Sequence, residues 1–284
     1  MFHVKPVLGA CLGMLLAVSG IVLGAGDEVH FAGPGVELTA YLYRPEGKGP
    51  FPAVVMMHGC SGLYGKSGKP TRSYQFWAEH FRDRGFVTLL LDSFGPRGER
   101  EICTQKDRRI SEATDRPRDA HAALDWLAGQ PDVDPRRVNL MGWSNGGTTV
   151  LNTVKPEAPG SGPDGPRFHA AIAFYPGCFA FARTALKPTA PLLIQAGGAD
   201  DWTPARHCEA LARRSLGEGS PIAIDVYPGA HHGFDSIDVG VRVRPDVRNS
   251  GSKAGWGATV GTNPEARAKA IARTTDWLEQ ANRP

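Results

Sequence analysis

Residues 138–147 read Val-Asn-Leu-Met-Gly-Trp-Ser-Asn-Gly-Gly, and this stretch decides the fold. Its first four residues predict a short apolar strand, and residues 148–154 favour a helix that follows the glycines. Ser144 lies at the corner, with Gly142 and Gly146 two positions away on either side. Small residues at these positions let a strand and a helix approach closely around a strained serine, the pattern known as a nucleophile elbow. The stretch therefore predicts a serine hydroxyl that projects above the end of a strand.

Strands and helices alternate on both sides of this elbow. Apolar runs predict buried strands at 52–58 and 86–91, and further strands are predicted at 170–175, 192–196 and 222–227. Helices are predicted at 71–84, 116–129, 204–216 and 263–280. Residues 36–43 are typical of an antiparallel edge strand, and residues 236–262 suggest irregular structure. This alternation predicts an α/β fold with a mostly parallel central sheet flanked by helices, in which functional residues gather at the carboxyl ends of the strands.

The composition suits one globular domain preceded by an export signal. The 284 residues are 41% hydrophobic and 21% charged, enough for one large core, which we expect to span residues 26–284. In residues 1–25, Lys5 is the only charged side chain, and an apolar run ends in small residues. This layout predicts a signal peptide cleaved near Ala25, and hence a periplasmic or secreted protein.

Two other interpretations apply to the first 25 residues. The apolar run at 7–24 is just long enough to span a bilayer, so it is also compatible with an uncleaved anchor. A faint lipoprotein-like site around Cys11 lies too early in the chain. Loss of Lys5 with the signal lowers the net charge from +3 to +2, which predicts no attraction to nucleic acid or to a membrane surface.

Four cysteines remain after the signal: Cys60, Cys103, Cys178 and Cys208. An even number in an exported chain favours two disulfides, with three possible connectivities. We prefer pairing of Cys60 with Cys103 and of Cys178 with Cys208, because each partner follows the carboxyl end of a neighbouring strand. Four buried thiols are the alternative, and the absence of a Cys-x-x-Cys spacing argues against a zinc site.

An acid and a base follow the elbow in a meaningful order. Asp200 comes directly after the strand at 192–196, and His232 comes after the strand at 222–227. A serine hydroxyl is a weak nucleophile unless a histidine takes its proton and a carboxylate orients that histidine. The order Ser, Asp, His, each just past its own strand, is the order of an α/β-hydrolase triad.

Four segments together resemble the dienelactone hydrolase family of α/β hydrolases. They are the strand and loop at 52–59, the elbow at 142–146, the Gly-x-Asp-x-x-Thr-Pro run at 198–204 and the Tyr-Pro-Gly-Ala-x-His-Gly-Phe run at 227–234. The resemblance covers residues 36–235 and implies the α/β-hydrolase fold with Ser144 as nucleophile, Asp200 as acid and His232 as base. Dienelactone hydrolase itself carries a cysteine nucleophile, so the serine favours general ester hydrolysis over cleavage of dienelactone.

The candidate acid and the candidate base each have a neighbour of the same residue type. The resemblance selects Asp200 over Asp201, which could instead cap the helix that begins near Thr203. It also selects His232, which precedes Gly-Phe, over His231.

The backbone N–H groups of Asn145 and Cys60 are predicted to form an oxyanion hole. His58 is expected to be a structural histidine that positions the loop after its strand.

Few features of the sequence bear on the substrate. Only residues 176–189 separate two strands at the place where many relatives insert a lid, so we expect a minimal lid and an open site for small or accessible acyl groups. Arg97 and Arg206 are candidates for contacting an anionic part of the substrate, although such arginines are more often solvated or paired with acids. Trp143 packs beside the site or touches the substrate. The sequence implies no metal and no organic cofactor.

Three functions of different classes follow. The preferred one is an exported serine hydrolase that cleaves carboxylic esters, lactones or thioesters of small molecules through an acyl-enzyme intermediate. A peptidase or an acyltransferase on the same scaffold is the second, and no propeller or peptide-binding module supports it. The third is a non-catalytic binding protein that retained the fold, against which the complete set of Ser, Asp and His argues.

Overall fold

The computed structural model of the chain describes residue 1, residues 26–162 and residues 165–283. An eight-stranded sheet forms its centre. Along the chain its strands are β1 (Asp27–Ala32), β2 (Glu37–Tyr43), β3 (Phe51–Met57), β4 (Val87–Asp92), β5 (Val133–Trp143), β6 (Ala171–Phe174), β7 (Leu192–Gly197) and β8 (Ile222–Tyr227). They lie side by side in the order β1-β2-β4-β3-β5-β6-β7-β8. Strands β3 to β8 pair in parallel, whereas β2 runs antiparallel to both of its neighbours.

Helices cover both faces of this sheet. They are α1 (Arg72–Arg82), α2 (Asp115–Ala128), α3 (Asn145–Thr153), α4 (Ala205–Arg214) and α5 (Pro264–Ala281). Helices α1 and α5 share one core with the sheet, and α2, α3 and α4 share the other. In β3, Val55 belongs to one core and Met56 to the other, which is why the strand is apolar at every position. The predicted α/β fold with a mostly parallel sheet between helices is confirmed.

The expected edge strand is antiparallel but does not lie at the edge. Strand β1, which was not predicted, pairs with its outer side. Strand β2 buries Leu38, Ala40 and Leu42 at alternate positions, the periodicity that identified it. Strand β1 fully buries only Phe31, so its sequence carries no comparable pattern.

The expectation of irregular structure over residues 236–262 was wrong. Strands β9 (Arg242–Arg248) and β10 (Trp256–Val260) form an antiparallel hairpin there. Strand β9 reads Arg-Val-Arg-Pro-Asp-Val-Arg and buries only Val247, so it lacks an apolar run and contains a proline that argues against a strand. Val247 and Ala258 pack with Phe94 and Ile102 from the loop after β4, which holds the hairpin against the sheet's carboxyl edge.

Two disulfides fasten the loops at this edge. Cys60 in the loop after β3 is bonded to Cys103 in the loop after β4. Cys178, after β6, is bonded to Cys208 in α4. This is the preferred pairing, and both bridges suit an exported protein.

The predicted signal peptide lies outside the described residues, except for residue 1. In the part of the chain that the structure describes, no helix has the length and apolar character needed to cross a bilayer.

Candidate active site

Ser144 occupies the turn between β5 and α3 in a strained backbone conformation. Its φ angle is +53°, a left-handed value that is uncommon for a residue with a side chain. The two glycines allow the turn to close, because a Cβ at Gly142 would lie 2.4 Å from the carbonyl oxygen of Gly146. A Cβ at Gly146 would lie 2.1 Å from the carbonyl oxygen of Met57. The structure therefore contains the elbow that the sequence predicted.

The structure brings Ser144, His232 and Asp200 together at the carboxyl edge of the sheet. The Oγ of Ser144 lies 2.8 Å from Nε2 of His232. Nδ1 of the same imidazole lies 2.8 Å from Oδ2 of Asp200. The three side chains follow strands β5, β8 and β7, so residues far apart in sequence meet where parallel strands end. Asp200 and His232 are both buried.

The carboxylate of Asp200 is held by its own loop. The backbone N–H groups of Trp202 and Thr203 donate to Oδ1 at 2.9 and 2.8 Å, and the Thr203 hydroxyl lies 3.0 Å from Oδ2. Burial raises the pKa of Asp200, but its hydrogen bond to His232 and these backbone donors outweigh burial and leave the pKa below its ordinary value. The side chain is therefore an ionised acceptor at neutral pH.

Asp201 and His231, the neighbours of the candidate acid and base, have hydrogen-bond partners of their own. Both carboxylate oxygens of Asp201 bind Thr259 of the hairpin at 2.8 Å, one through the backbone N–H and one through the hydroxyl. Asp201 therefore does not cap α4, the alternative that the sequence left open, because its side chain is engaged by β10. Nδ1 of His231 lies 3.0 Å from the carbonyl oxygen of Ala199. These contacts hold the loop that carries Asp200 against the hairpin and against the loop that carries His232.

Cys60 and Asn145 lie in the two segments next to the Ser144 side chain, the loop after β3 and the first turn of α3, and a Cβ at Gly59 would lie 3.6 Å from the Ser144 Cβ. Among the described residues, neither backbone N–H has a hydrogen-bond acceptor. The Cys60 segment is fastened on several sides: Tyr74 accepts from the N–H of Gly59 at 2.8 Å, and the N–H of Ile102 donates to the Cys60 carbonyl at 2.8 Å. These two N–H groups are thus available to a substrate oxygen.

His58 is buried in the same loop and is neutral. Its Nδ1 donates to the carbonyl of Gly59 at 2.8 Å, and its Nε2 accepts from the N–H of Ser93 at 3.3 Å. Burial lowers the pKa of His58, and the neighbouring Arg116 lowers it further. These contacts give the histidine a structural place in the loop.

A pocket of about 190 Å³ opens directly over Ser144. Aromatic side chains form much of its wall: Tyr74, Trp143, Tyr175 and Trp202. Arg242 and Arg244 of the hairpin, together with Val260, line the other side. Arg244 is paired with Asp246 at 2.7 Å, and Arg242 is exposed. The pocket therefore combines flat apolar surfaces with a cationic rim.

The two arginines proposed from the sequence as substrate contacts do not line this pocket. Arg97 donates to both carboxylate oxygens of Asp119 at 2.8 and 2.9 Å and to the carbonyl of Ser93, so its side chain is fully engaged elsewhere. Arg206 is exposed on α4, outside the pocket wall. Trp143 lines the pocket although it is only 3% exposed. The segment at 176–189 is short, as expected, and the hairpin, not this segment, contributes to the pocket wall.

Within the described ranges, no group of three or more His, Cys, Asp and Glu side chains is arranged to hold a metal ion.

The family model for the dienelactone hydrolase family matches residues 38–282. The chain belongs to the dienelactone hydrolase family. A probable 2-oxo-3-(5-oxofuran-2-ylidene)propanoate lactonase from a Bradyrhizobium species is 25% identical to it, over 83% of this chain and 92% of the lactonase.

Two solved structures show the same fold. One is a dienelactone hydrolase-like promiscuous phosphotriesterase from metagenomic libraries, with a TM-score of 0.65 and 20% identity over 91% of this chain and 99% of that one. The other is Thermogutta terrifontis esterase 2 phosphorylated by paraoxon, with a TM-score of 0.61 and 19% identity over 92% of this chain and 95% of that one.

This member of the dienelactone hydrolase family also contains a buried carboxylate that the sequence did not reveal. Asp235 accepts hydrogen bonds from the indoles of Trp77 and Trp143, each at 2.9 Å, and from the hydroxyl of Tyr175 at 2.6 Å. Burial raises the pKa of Asp235, and the three donors offset that effect only in part. Tyr175 in turn packs on the His232 ring at 4.6 Å. Asp235 thereby orients two aromatic side chains of the pocket wall.

Proposed function

We propose that this chain is a serine hydrolase that cleaves carboxylic esters of small or accessible acyl groups, with Ser144 as nucleophile, His232 as general base and Asp200 as the orienting acid. The observation that carries the proposal is the unbroken hydrogen-bond chain from Asp200 through His232 to the Ser144 hydroxyl, at 2.8 Å for each link, on the floor of the pocket. Membership in the dienelactone hydrolase family and the lactonase among its relatives support it.

In the first half of the reaction, the Ser144 oxygen attacks the ester carbonyl carbon while its proton passes to Nε2 of His232. The carbonyl oxygen becomes an oxyanion, which accepts hydrogen bonds from the N–H groups of Cys60 and Asn145. Asp200 stabilises the imidazolium and fixes which ring nitrogen faces the serine. The tetrahedral intermediate collapses when His232 gives its proton to the leaving alcohol oxygen, and an acyl-serine remains.

In the second half, a water molecule takes the place of the alcohol. His232 removes a proton from this water, whose oxygen attacks the acyl carbon and regenerates an oxyanion in the same hole. Return of the proton to Ser144 releases the carboxylic acid. The same sequence opens a lactone, with the difference that the alcohol and the acid remain in one molecule.

The pocket favours compact substrates that carry a flat group or an acidic group. A volume of about 190 Å³ matches a small acyl chain or a single ring better than a long lipid. The aromatic wall favours planar groups, and Arg242 at the rim favours a carboxylate or another anion.

Labelling with a fluorophosphonate probe tests the proposal. The wild-type chain is expected to gain one probe mass on Ser144 and to hydrolyse short acyl esters, and Ser144→Ala is expected to do neither. Ser220→Ala, a serine between α4 and β8, serves as the matched control and should label normally. A folded wild-type chain that neither reacts with the probe nor turns over esters would refute the proposal, and faster turnover of peptides than of esters would redirect it to a peptidase.

We also propose that residues 1–25 are removed on export and that residues 26–284 act as one domain in the periplasm or outside the cell. The two disulfides support an oxidising compartment. The intact mass of the protein recovered from the exported fraction tests this proposal, because cleavage near Ala25 predicts an N-terminus close to Gly26.

A further inference from the structure

Arg116 is a completely buried cation below the candidate active site. It lies in the first turn of α2, on the same stripe as the buried Ala120, Ala123 and Leu127. Its exposed fraction is 0%. One terminal nitrogen donates to the side-chain oxygen of Asn145, and the other donates to the carbonyl oxygen of His58 at 2.7 Å. A single guanidinium therefore joins the loop after β3 to the first residue of α3.

These two segments carry the two halves of the proposed oxyanion hole. Asn145 supplies one N–H itself, and His58 lies two residues before Cys60, which supplies the other. The pairing of β3 with β5 ends at Met57 and Gly142, so both donors lie beyond the last ladder contact of these strands. The chain passes close to the elbow here, since a Cβ at Gly146 would lie only 2.6 Å from the His58 carbonyl oxygen. Arg116 therefore bridges the segments that follow β3 and β5, where the two strands no longer pair.

Stability alone does not explain why an arginine occupies this buried position. Burial lowers its pKa to about 10, and neighbouring acids, Asp119 foremost, favour its charge, so it is a cation at neutral pH. Its Nε has no hydrogen-bond partner in the described part of the chain. The guanidinium carbon lies 4.9 Å from the Phe94 ring centre. An apolar side chain of similar volume often stabilises such a buried position as well or better, so stability alone does not account for an arginine.

We propose that Arg116 is a positioning residue that sets the spacing of the two oxyanion donors, an inference that rests on the proposed function. The planar fork of an arginine fixes two acceptors at a defined separation, which a lysine ammonium does not. With the His58 carbonyl and the Asn145 side chain held by one rigid group, the N–H groups of Cys60 and Asn145 keep the separation that one oxyanion requires. Arg116 acts through these peptides and does not touch the substrate.

The test compares Arg116→Lys with wild type in kcat, KM and inhibitor affinity. Lysine keeps a long basic side chain and loses the planar fork, so kcat is expected to fall about 10- to 100-fold, the effect of a displacement of about 1 Å, with KM changed less than twofold. Affinity for an alkyl boronic acid, which forms a tetrahedral adduct on the serine, is expected to fall in parallel. Affinity for the product carboxylate is expected to stay within twofold, because it requires no tetrahedral geometry.

Arg137→Lys is the matched control. Arg137 likewise links separate segments through its guanidinium, but in the amino-terminal half of β5, where it contacts the Asp134 carboxylate and the carbonyl oxygens of Pro50 and Asn282. Its substitution is expected to lower the melting temperature without lowering kcat. If Arg116→Lys keeps its kcat within threefold, or if it weakens boronate and carboxylate binding equally, the inference is overturned.

A second variant keeps the inference testable if Arg116→Lys does not fold. Asn145→Ala retains the donor N–H and removes one acceptor of Arg116, so its kcat is expected to fall in the same direction by a smaller factor. In the double variant, the two losses are expected to be less than multiplicative, because both remove the same contact. Unchanged turnover in Asn145→Ala, or fully multiplicative losses, would contradict the inference. A wild-type chain without esterase activity and without probe labelling would instead refute the proposed function and remove the basis of the inference with it.

Discussion

Removing each disulfide in turn gives a matched comparison, because only one of the two bridges involves the loop that carries Cys60. Cys60, whose N–H is a proposed oxyanion donor, is bonded to Cys103, whereas the bond between Cys178 and Cys208 lies outside the pocket wall. Both bridges are buried. We expect Cys103→Ala and Cys208→Ala to destabilise the fold to a similar extent, and only Cys103→Ala to reduce turnover.

The similarity in stability follows from the loop lengths. The sequence separations are 43 for Cys60 and Cys103 and 30 for Cys178 and Cys208. The chain-entropy relation converts these separations into about 4.0 and about 3.6 kcal/mol of stability lost at 25 °C. The difference between the two losses is too small to make one variant markedly less folded than the other under mild conditions.

The expected loss of turnover is moderate. Removal of a complete oxyanion donor costs on the order of 10²- to 10³-fold in rate. In Cys103→Ala the donor remains, and the Ile102 N–H still holds the Cys60 carbonyl at 2.8 Å. We therefore expect kcat to fall about tenfold, well below the cost of losing the donor.

Urea unfolding and steady-state hydrolysis of a short acyl ester measure the two effects. Both assays are run far below the melting temperature, and mass spectrometry verifies that the remaining thiol is unmodified. Equal kcat values in the two variants would refute the assignment of the Cys60 peptide to the oxyanion hole. A larger loss of kcat in Cys208→Ala would refute it as well.

Three further predictions concern the acid, the rim and the buried carboxylate. Thr203→Val removes the hydroxyl that contacts both Asp200 and His232, so kcat is expected to fall about tenfold with KM little changed, measured with one neutral ester. Arg242→Gln is expected to raise KM about three- to fivefold for an ester that carries a carboxylate and to leave KM for its neutral counterpart unchanged. Arg206→Gln is the control and is expected to change neither KM. A rise in KM that persists in high salt would argue against a charge effect. The folded state raises the pKa of Asp235, so this group stabilises the fold most below its unfolded pKa and loses that contribution as pH rises through the folded value. The stability advantage of wild type over Asp235→Asn in urea unfolding should therefore be larger at pH 4 than at pH 8, and an advantage that is constant or grows with pH would show the opposite shift.

The strand-based part of the site could be predicted because it depends on regular features. Ser144, Asp200 and His232 each follow a mainly apolar strand segment, and parallel strands bring their carboxyl ends to one edge. The choice of Asp200 over Asp201 needed a family resemblance, because two adjacent aspartates are equivalent in an apolarity pattern.

The hairpin could not be predicted by the same means. Its strands face the pocket on one side and solvent on the other, so Arg242, Val243 and Arg244 give no apolar periodicity. What stabilises it is tertiary: Asp201 binds Thr259, and Trp202 donates to the carbonyl of Arg248 at 2.9 Å. For this reason the cationic side of the pocket was assigned to Arg97 and Arg206, which lie elsewhere.

Arg116 and Asp235 differ in the signal that they leave in the sequence. Arg116 falls on the buried stripe of α2 with Ala120 and Leu127, so the helical period alone places a charged residue on an apolar helix face. Asp235 simply follows Phe234 in a loop, and its burial depends on indole and phenol donors from three distant segments. A buried charge on a helix can thus be recognised by its period, whereas one in a loop cannot.

The contacts between the hairpin and the acid loop limit how this protein can be re-engineered. Thr259 is bound by Asp201, the residue next to the proposed acid, and Val260 forms a β-bridge with His232, the proposed base. Transplanting a foreign hairpin to obtain a new substrate range would therefore also disturb the acid and the base. Chimeras that retain Asp201, Thr259 and Val260 and vary the pocket-lining Arg242 and Arg244 are the ones expected to keep their chemistry while exchanging selectivity.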